Sequence, residues 1–392
     1  MRRAEENTKI KNILFFIFIL SSSFCAAEEF RGVWIATVKN LDWPSRPGMT
    51  KEAQQAELVK IFDGVKEMGF NTVILQVRPM ADTFWPSKLE PWSVYLTGTP
   101  GKNPGYDPLG FAVEEAHKRG LKIHAWFNPF RVTADKTQKP AENSPAEKHK
   151  DWVIKYGDGM IFDPGNPAAR KHITAVITEA AAKYDVDGVH LDDYFYPYPQ
   201  VKNGKEIPLD DKKSFKKYAA KGQKLEDWRR QNINIFISDL RKSIKAAKPG
   251  IQFGISPFAV WRNADECPGG SDTTGFSSHD KLFTDVNAWL DRGYLDYVAP
   301  QIYWEFGHRQ KPFDKVLAWW TNKISSVENP PALYAGIAAY KDGAPFKAGE
   351  IEKQIKHARE NGAGGFIYFR AKFVLDEKST LKNRIKNLNK GE

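Results

Sequence analysis

Residues 187–199 read DGVHLDDYFYPYP: a short apolar run that stops at two adjacent carboxylates and continues into aromatics and prolines. Period-2 alternation puts His190 and Asp192 on one face of a strand and Val189 and Leu191 on the other. Val and Leu suit the side that packs on helices, so His190 and Asp192 face inward. An inward carboxylate is costly to desolvate, and it is tolerable mainly at an open end, with partners or a task. At the mouth of a closed parallel barrel such an inward carboxylate has both a place and a use.

Working outward, seven further strand-like runs share this character: RGVWIATV (31–38), TVILQVR (72–78), KIHAWFN (122–128), IQFGIS (251–256), YVAPQIY (297–303), ALYAGIAA (332–339) and GFIYFR (365–370). Helical patterns fall near 51–68, 108–119, 167–183, 225–247, 280–292, 313–325, 349–360 and 376–388. Strands and helices in strict alternation predict an α/β protein, a single (β/α)8 barrel of the TIM type. Helix-to-strand links are short and carry Gly69, Gly120, Gly250, Gly293 and Gly362. Strand-to-helix links are long: 79–106, 129–165, 193–223 and 257–279. In such barrels the long links lie at the C-terminal mouth, where active sites are built. Asp107-Pro108 and Asn166-Pro167 read as helix caps followed by Pro at the first helical position.

The 392 residues hold 41% hydrophobic and 27% charged side chains and two Cys, which suits a large core without disulfide stapling. Basic residues number 58 and acidic 48, for a net charge of +10. That excess is spread over helical faces rather than gathered in a stripe, so nucleic acid is not an expected partner. Residues 1–27 place Arg2, Arg3, Lys9 and Lys11 before the apolar ILFFIFIL (13–20) and then small residues, the pattern of an export signal. Cys25 stands where a lipoprotein cysteine follows such a run. Membrane contact is expected only if it is lipidated. The barrel is expected over 28–392, exported to the periplasm, the outer membrane or the cell surface. Cys267 then has no partner and reads as a loop thiol.

Three carboxylates carry the expected chemistry. Asp192 ends the fourth strand and Asp193 follows it; Glu305 follows the sixth, beside Trp304. An apolar wall raises a carboxyl pKa and makes a proton donor near neutrality, and glycosidic cleavage needs two carboxylates. Asp192 is expected as nucleophile or electrostatic stabiliser, Glu305 as general acid/base, and Asp193 as an orienting group or a replacement for either. Polar and aromatic residues at the strand ends form the expected sugar-binding set: Arg78, Trp126, Asn128, His190, Tyr194, Tyr196, Trp261, Gln301, Tyr303, Trp304 and Arg370. His124 and His190 lie on different strands without metal-ligand spacing, so no metal and no cofactor is expected. There is no GxSxG, P-loop or GxGxxG motif. Of the 12 Trp, Trp43, Trp85, Trp92, Trp152, Trp261 and Trp304 fall on mouth segments and are expected to line it, while Trp228, Trp289, Trp319 and Trp320 lie on helices.

FRGVWIATVKNLDWP, LQVRPMADTFWPS, HAWFNPFR and DGVHLDDYFYPYP, in that order, resemble the glycosyl hydrolase-like 10 family. The resemblance runs from about residue 30 to the C-terminal helix. It implies a glycosidase-like barrel, exported from a bacterial cell, acting on the glycan strands of peptidoglycan after their stem peptides are removed. More distantly, GVHLD is similar to the fourth-strand motif of α-amylase-type barrels, whose closing aspartate is the nucleophile. Here His190 stands where those enzymes carry Arg, and the fifth strand offers Ser256 instead of a glutamate. A barrel that binds carbohydrate without cleaving it is the alternative reading. A polysaccharide deacetylase is a third, and it lacks a ligand cluster.

Overall fold

A computed structural model describes residues 28–390; the expected export segment, with Cys25, lies outside them. The eight strands expected from the sequence are all present and parallel: β1 Phe30–Ile35, β2 Thr72–Arg78, β3 Lys122–Phe127, β4 Gly188–Leu191, β5 Gln252–Ile255, β6 Tyr297–Val298, β7 Ala332–Ile337 and β8 Gly365–Tyr368. They close in sequence order, with β8 pairing back onto β1 at Phe30 opposite Gly365. The outer ring is α1 Lys51–Glu67, α2 Pro108–Lys118, α3 Pro167–Lys183, α4 Leu225–Ala247, α5 Val286–Asp291, α6 Phe313–Ser325, α7 Glu350–Glu360 and α8 Leu381–Lys390.

Helix starts follow local chemistry. Thr50, Asp107 and Asn166 each cap a helix by accepting from a backbone N–H of its first turn, and Pro108 and Pro167 take positions whose N–H would be unpaired anyway. The helix expected over 280–292 is broken into Ser278–Lys281 and α5, because Phe283 adopts a left-handed conformation (φ 55°) between them. Strand β6 is only two residues long, since Pro300 has no N–H to give the ladder.

Two apolar layers result. The main one lies between strands and helices and includes Trp289 and Trp320, both fully buried. The barrel interior is a smaller cluster of Phe30, Trp34, Ala36, Ile74, Trp126, Tyr297, Ala299, Tyr334 and Ile367. Phe30 stacks on Tyr334 with ring centroids 4.1 Å apart, which fills the lower barrel. At the other end the long links add an antiparallel sheet of Arg131–Thr133, Val153–Tyr156 and Gly159–Phe162 and a hairpin of Val201–Lys202 with Lys205–Glu206. These build walls above the strand ends.

Candidate active site

Asp192 leaves the end of β4 at the mouth and is 5% exposed. Its Oδ2 accepts from the Nδ2–H of Asn128 and, at 3.3 Å, from the indole N–H of Trp126, both at the end of β3. Its Oδ1 accepts from the backbone N–H of Tyr194 at 3.1 Å. Asn128 is itself held, because its Oδ1 accepts from Nε2 of Gln76 on β2. The Gln76 Oε1 in turn accepts from the backbone N–H groups of Thr37 and Val38, at 2.9 and 2.8 Å, beyond β1. One hydrogen-bonded line across three strand ends therefore fixes the Asp192 carboxyl.

Burial pushes the Asp192 carboxyl up to about 7, and the neighbouring charge of Asp193 adds to the rise. Asp193 is also buried and raised by desolvation, offset by donors from the Tyr198 hydroxyl and the Gln301 amide. Burial and the neighbouring Asp193 charge together make the Asp192 carboxyl hard to ionise.

Trp126, Asp192, Asp193, Tyr194, Gln301 and Tyr303 line one cavity of about 290 Å³ with Trp34, Ala36, Val38, Leu41, Gln76, Arg131, Ser256 and Phe369. Aromatic faces and few polar groups give contact surface for sugar rings. Beneath it, Trp34 donates its indole N–H to Nε2 of His190 at 3.1 Å. His190 is buried and held neutral well below its usual pKa, so its proton sits on Nδ1 and is donated to the Tyr297 hydroxyl at 2.8 Å. Tyr297 passes the bond on to Nδ1 of His124 at 2.9 Å. Among the described residues no group of three His, Cys, Asp or Glu side chains is placed to hold a metal ion.

The glycosyl hydrolase-like 10 family profile matches residues 29–353. The chain belongs to the glycosyl hydrolase-like 10 family. It is 47% identical to the glycosyl hydrolase YngK of Bacillus subtilis (strain 168) over 332 residues, which are 83% of this chain and 64% of YngK. It is 40% identical to the glycosyl hydrolase DigH of Escherichia coli (strain K12) over 344 residues, 82% of this chain and 76% of DigH. Its fold is similar to the PgaB (BpsB) glycoside hydrolase domain from Bordetella bronchiseptica, with a TM-score of 0.58 at 14% identity, covering 92% of this chain and 98% of that domain. A cold-adapted β-galactosidase from Rahnella sp. R3 matches with a TM-score of 0.59 at 11% identity, covering 93% and 56%.

Within this glycosyl hydrolase-like barrel several expected site residues take other places. Glu305 is half-buried but is not among the residues lining the cavity; the lining carboxylates are Asp192 and Asp193. Arg78 is fully buried in an ion pair with Glu90, Nε to Oε2 and Nη2 to Oε1 both at 2.7 Å, and its Nη1 donates to the Asn128 and Pro129 carbonyls. The cause is a register shift between Gln76 and Arg78, which pairs Gln76 with inward Trp126 but Arg78 with outward Phe127. His190 and Asn128 are positioning residues beneath the cavity rather than part of its wall. Tyr196 is buried against Phe283 and Asn232, and Trp261 stacks on Trp319 at 5.7 Å. Trp304 packs on Phe258 outside the lining, and Arg370 pairs with Asp42 at 2.6 Å, anchoring the link beyond β1.

The tryptophan expectation also shifts. Trp43 and Trp85 are fully buried, their N–H groups satisfied by the Gln54 carbonyl and Glu179, so the indoles at the cavity are Trp34 and Trp126. Trp34 was legible: in RGVWIA the same alternation that turned His190 inward puts Trp34 and Ala36 inward from β1. Arg131 carried no comparable signal, because it sits in a long link whose path the periodicity does not specify.

Proposed function

We propose that this glycosidase-type barrel hydrolyses glycosidic bonds in a bacterial cell-wall polysaccharide, with peptidoglycan strands stripped of peptides as the preferred substrate and an exported location. The observation that carries the proposal is the buried Asp192–Asp193 pair on the wall of an aromatic cavity, with burial pushing both carboxyls up. Asp192, whose carboxyl burial pushes up to about 7, serves as the acid that protonates the departing glycosidic oxygen. This departs from the nucleophile role implied by the α-amylase-type motif, since a nucleophile must be ionised. Asp193 faces the same cavity; as a carboxylate it stabilises positive charge at the anomeric carbon and takes the proton of the water that attacks there, so the pair ends with as many protons as it began with. Trp126 and Asn128 keep Asp192 aimed, and Trp34, Trp126 and Tyr303 give faces for sugar rings.

The test is incubation of purified protein with peptide-stripped strands, with soluble oligosaccharides read by mass spectrometry. Wild type is expected to release them, and Asp192→Asn to be slower by roughly 10²–10⁴. Near wild-type turnover in Asp192→Asn would overturn the assignment. Glu305 standing outside the cavity favours the second reading, a barrel that binds glycan without cutting it. That reading gains if wild type sediments with insoluble peptidoglycan and yields no product.

A further inference from the structure

The cavity that holds Asp192 is joined to another of about 380 Å³, walled by the antiparallel sheet beyond β3 and the segment beyond β4. Val38, Arg131 and Tyr194 line both. Arg131 is thus the guanidinium at the junction of one longer groove. Its Cζ lies 4.4 Å from the centre of the Tyr194 ring, and its hydrogen bond to protein is a long one, from Nη1 to the Pro79 carbonyl at 3.4 Å. No carboxylate of the described residues comes within ion-pair distance of it. Lys39, the other cation of the groove, is by contrast paired with Asp135 at 3.0 Å.

We propose that Arg131 is the receptor for a carboxylate carried by the glycan, so that the groove selects an acidic polysaccharide over a neutral one with the same backbone. A planar guanidinium fixed by stacking on an aromatic ring keeps its fork of donors pre-organised, and that fork matches a carboxylate in two-point contact. Asp192, Asp193 and Asp158 share the groove, and they would repel a doubly charged phosphate more than a singly charged carboxylate. The inference rests on the glycan-cleaving reading and assigns one residue to its selectivity, because strands freed of peptide expose the lactyl carboxylate to which the peptide had been attached.

Binding is measured separately from cleavage, by calorimetry in an Asp192→Asn background. The probes are a peptide-free tetrasaccharide of alternating N-acetylglucosamine and N-acetylmuramic acid, the same tetrasaccharide with its carboxyls reduced to alcohols, and chitotetraose. The acidic probe is expected to bind about tenfold tighter than either neutral one, as one charge-assisted contact gives. Adding Arg131→Gln is expected to bring all three to similar affinity while chitotetraose binding is kept, and Arg131→Lys to retain part of the preference. Equal affinity of the parent for acidic and reduced probes would overturn the proposal. So would a preference that survives Arg131→Gln. Retained preference with no hydrolysis by wild type would leave Arg131 in its role and remove the catalytic reading; hydrolysis without preference would do the reverse.

Discussion

Asn128 donates its side-chain N–H to Oδ2 of Asp192 while Gln76 holds the Asn128 carbonyl oxygen in place. The orientation of that amide is therefore set by its partner on β2, and its donor is committed to the carboxylate. A donor to a carboxylate favours the charged form. Asn128→Ala is therefore expected to raise the Asp192 pKa further and shift the alkaline limb of the kcat profile to higher pH. A lower kcat should accompany the shift. A pH profile of oligosaccharide release checks this, and an unshifted limb would count against Asp192 as the proton donor.

The same burial sets a pH dependence of stability. An unfolded Asp titrates near about 3.9, whereas the folded carboxyl is pushed up to about 7 by desolvation and Asp193. The folded state holds more protons between those values, so this group's contribution is full below about pH 4 and is lost as pH rises through 7. Asp192→Asn removes the cost of ionising in place. Its Tm should exceed wild type by a larger margin at pH 8 than at pH 5, by about 2 °C or more for a domain of this size. Scanning calorimetry at the two pH values decides it.

Arg78 and Glu90 are both fully inaccessible and paired through two bonds. Removing one partner strands a charge in the interior. Glu90→Ala is expected to destabilise the fold by about 3–5 kcal/mol, seen as a fall in the urea midpoint. Arg78 also donates to the carbonyls of Asn128 and Pro129, so any activity that remains should show impaired kcat rather than a changed carboxylate preference.

Gly254 on β5 lies against the ring of Tyr297, where an added Cβ would come within 2.1 Å of the ring atoms. That ring is confined by Phe30, His124, His190 and Tyr334 and has nowhere to go. Gly254→Ala is expected to cost about 3 kcal/mol or more through overpacking, measured by thermal unfolding, or to prevent accumulation of folded protein. Gly250, with open space around it, is the matched control and should tolerate Ala.

The barrel was readable because its signals are local and repeated: buried strand runs, Gly-marked short links and long links on one side. Asp192, Trp126, Gln301 and Tyr303 are at cavity positions that strand alternation reaches. Arg78 was misdirected by a single register shift that no composition announces. Trp43 and Trp85 looked like mouth residues because long links were read as open, yet those links carry their own small cores. Glu305 follows a two-residue strand, and past such an end the alternation no longer says where a side chain points.

Below the cavity the barrel is plugged by Phe30, His124, Tyr297 and Tyr334, so the open approach to Asp192 is from the mouth. A sugar seated over the carboxyl closes that approach. If Asp192 is the acid of a glycosidic cleavage, a carboxyl pair covered in this way regains its proton from the water that attacks the anomeric carbon rather than from bulk solvent, which ties each cut to a water molecule already held in the groove beside the sugar.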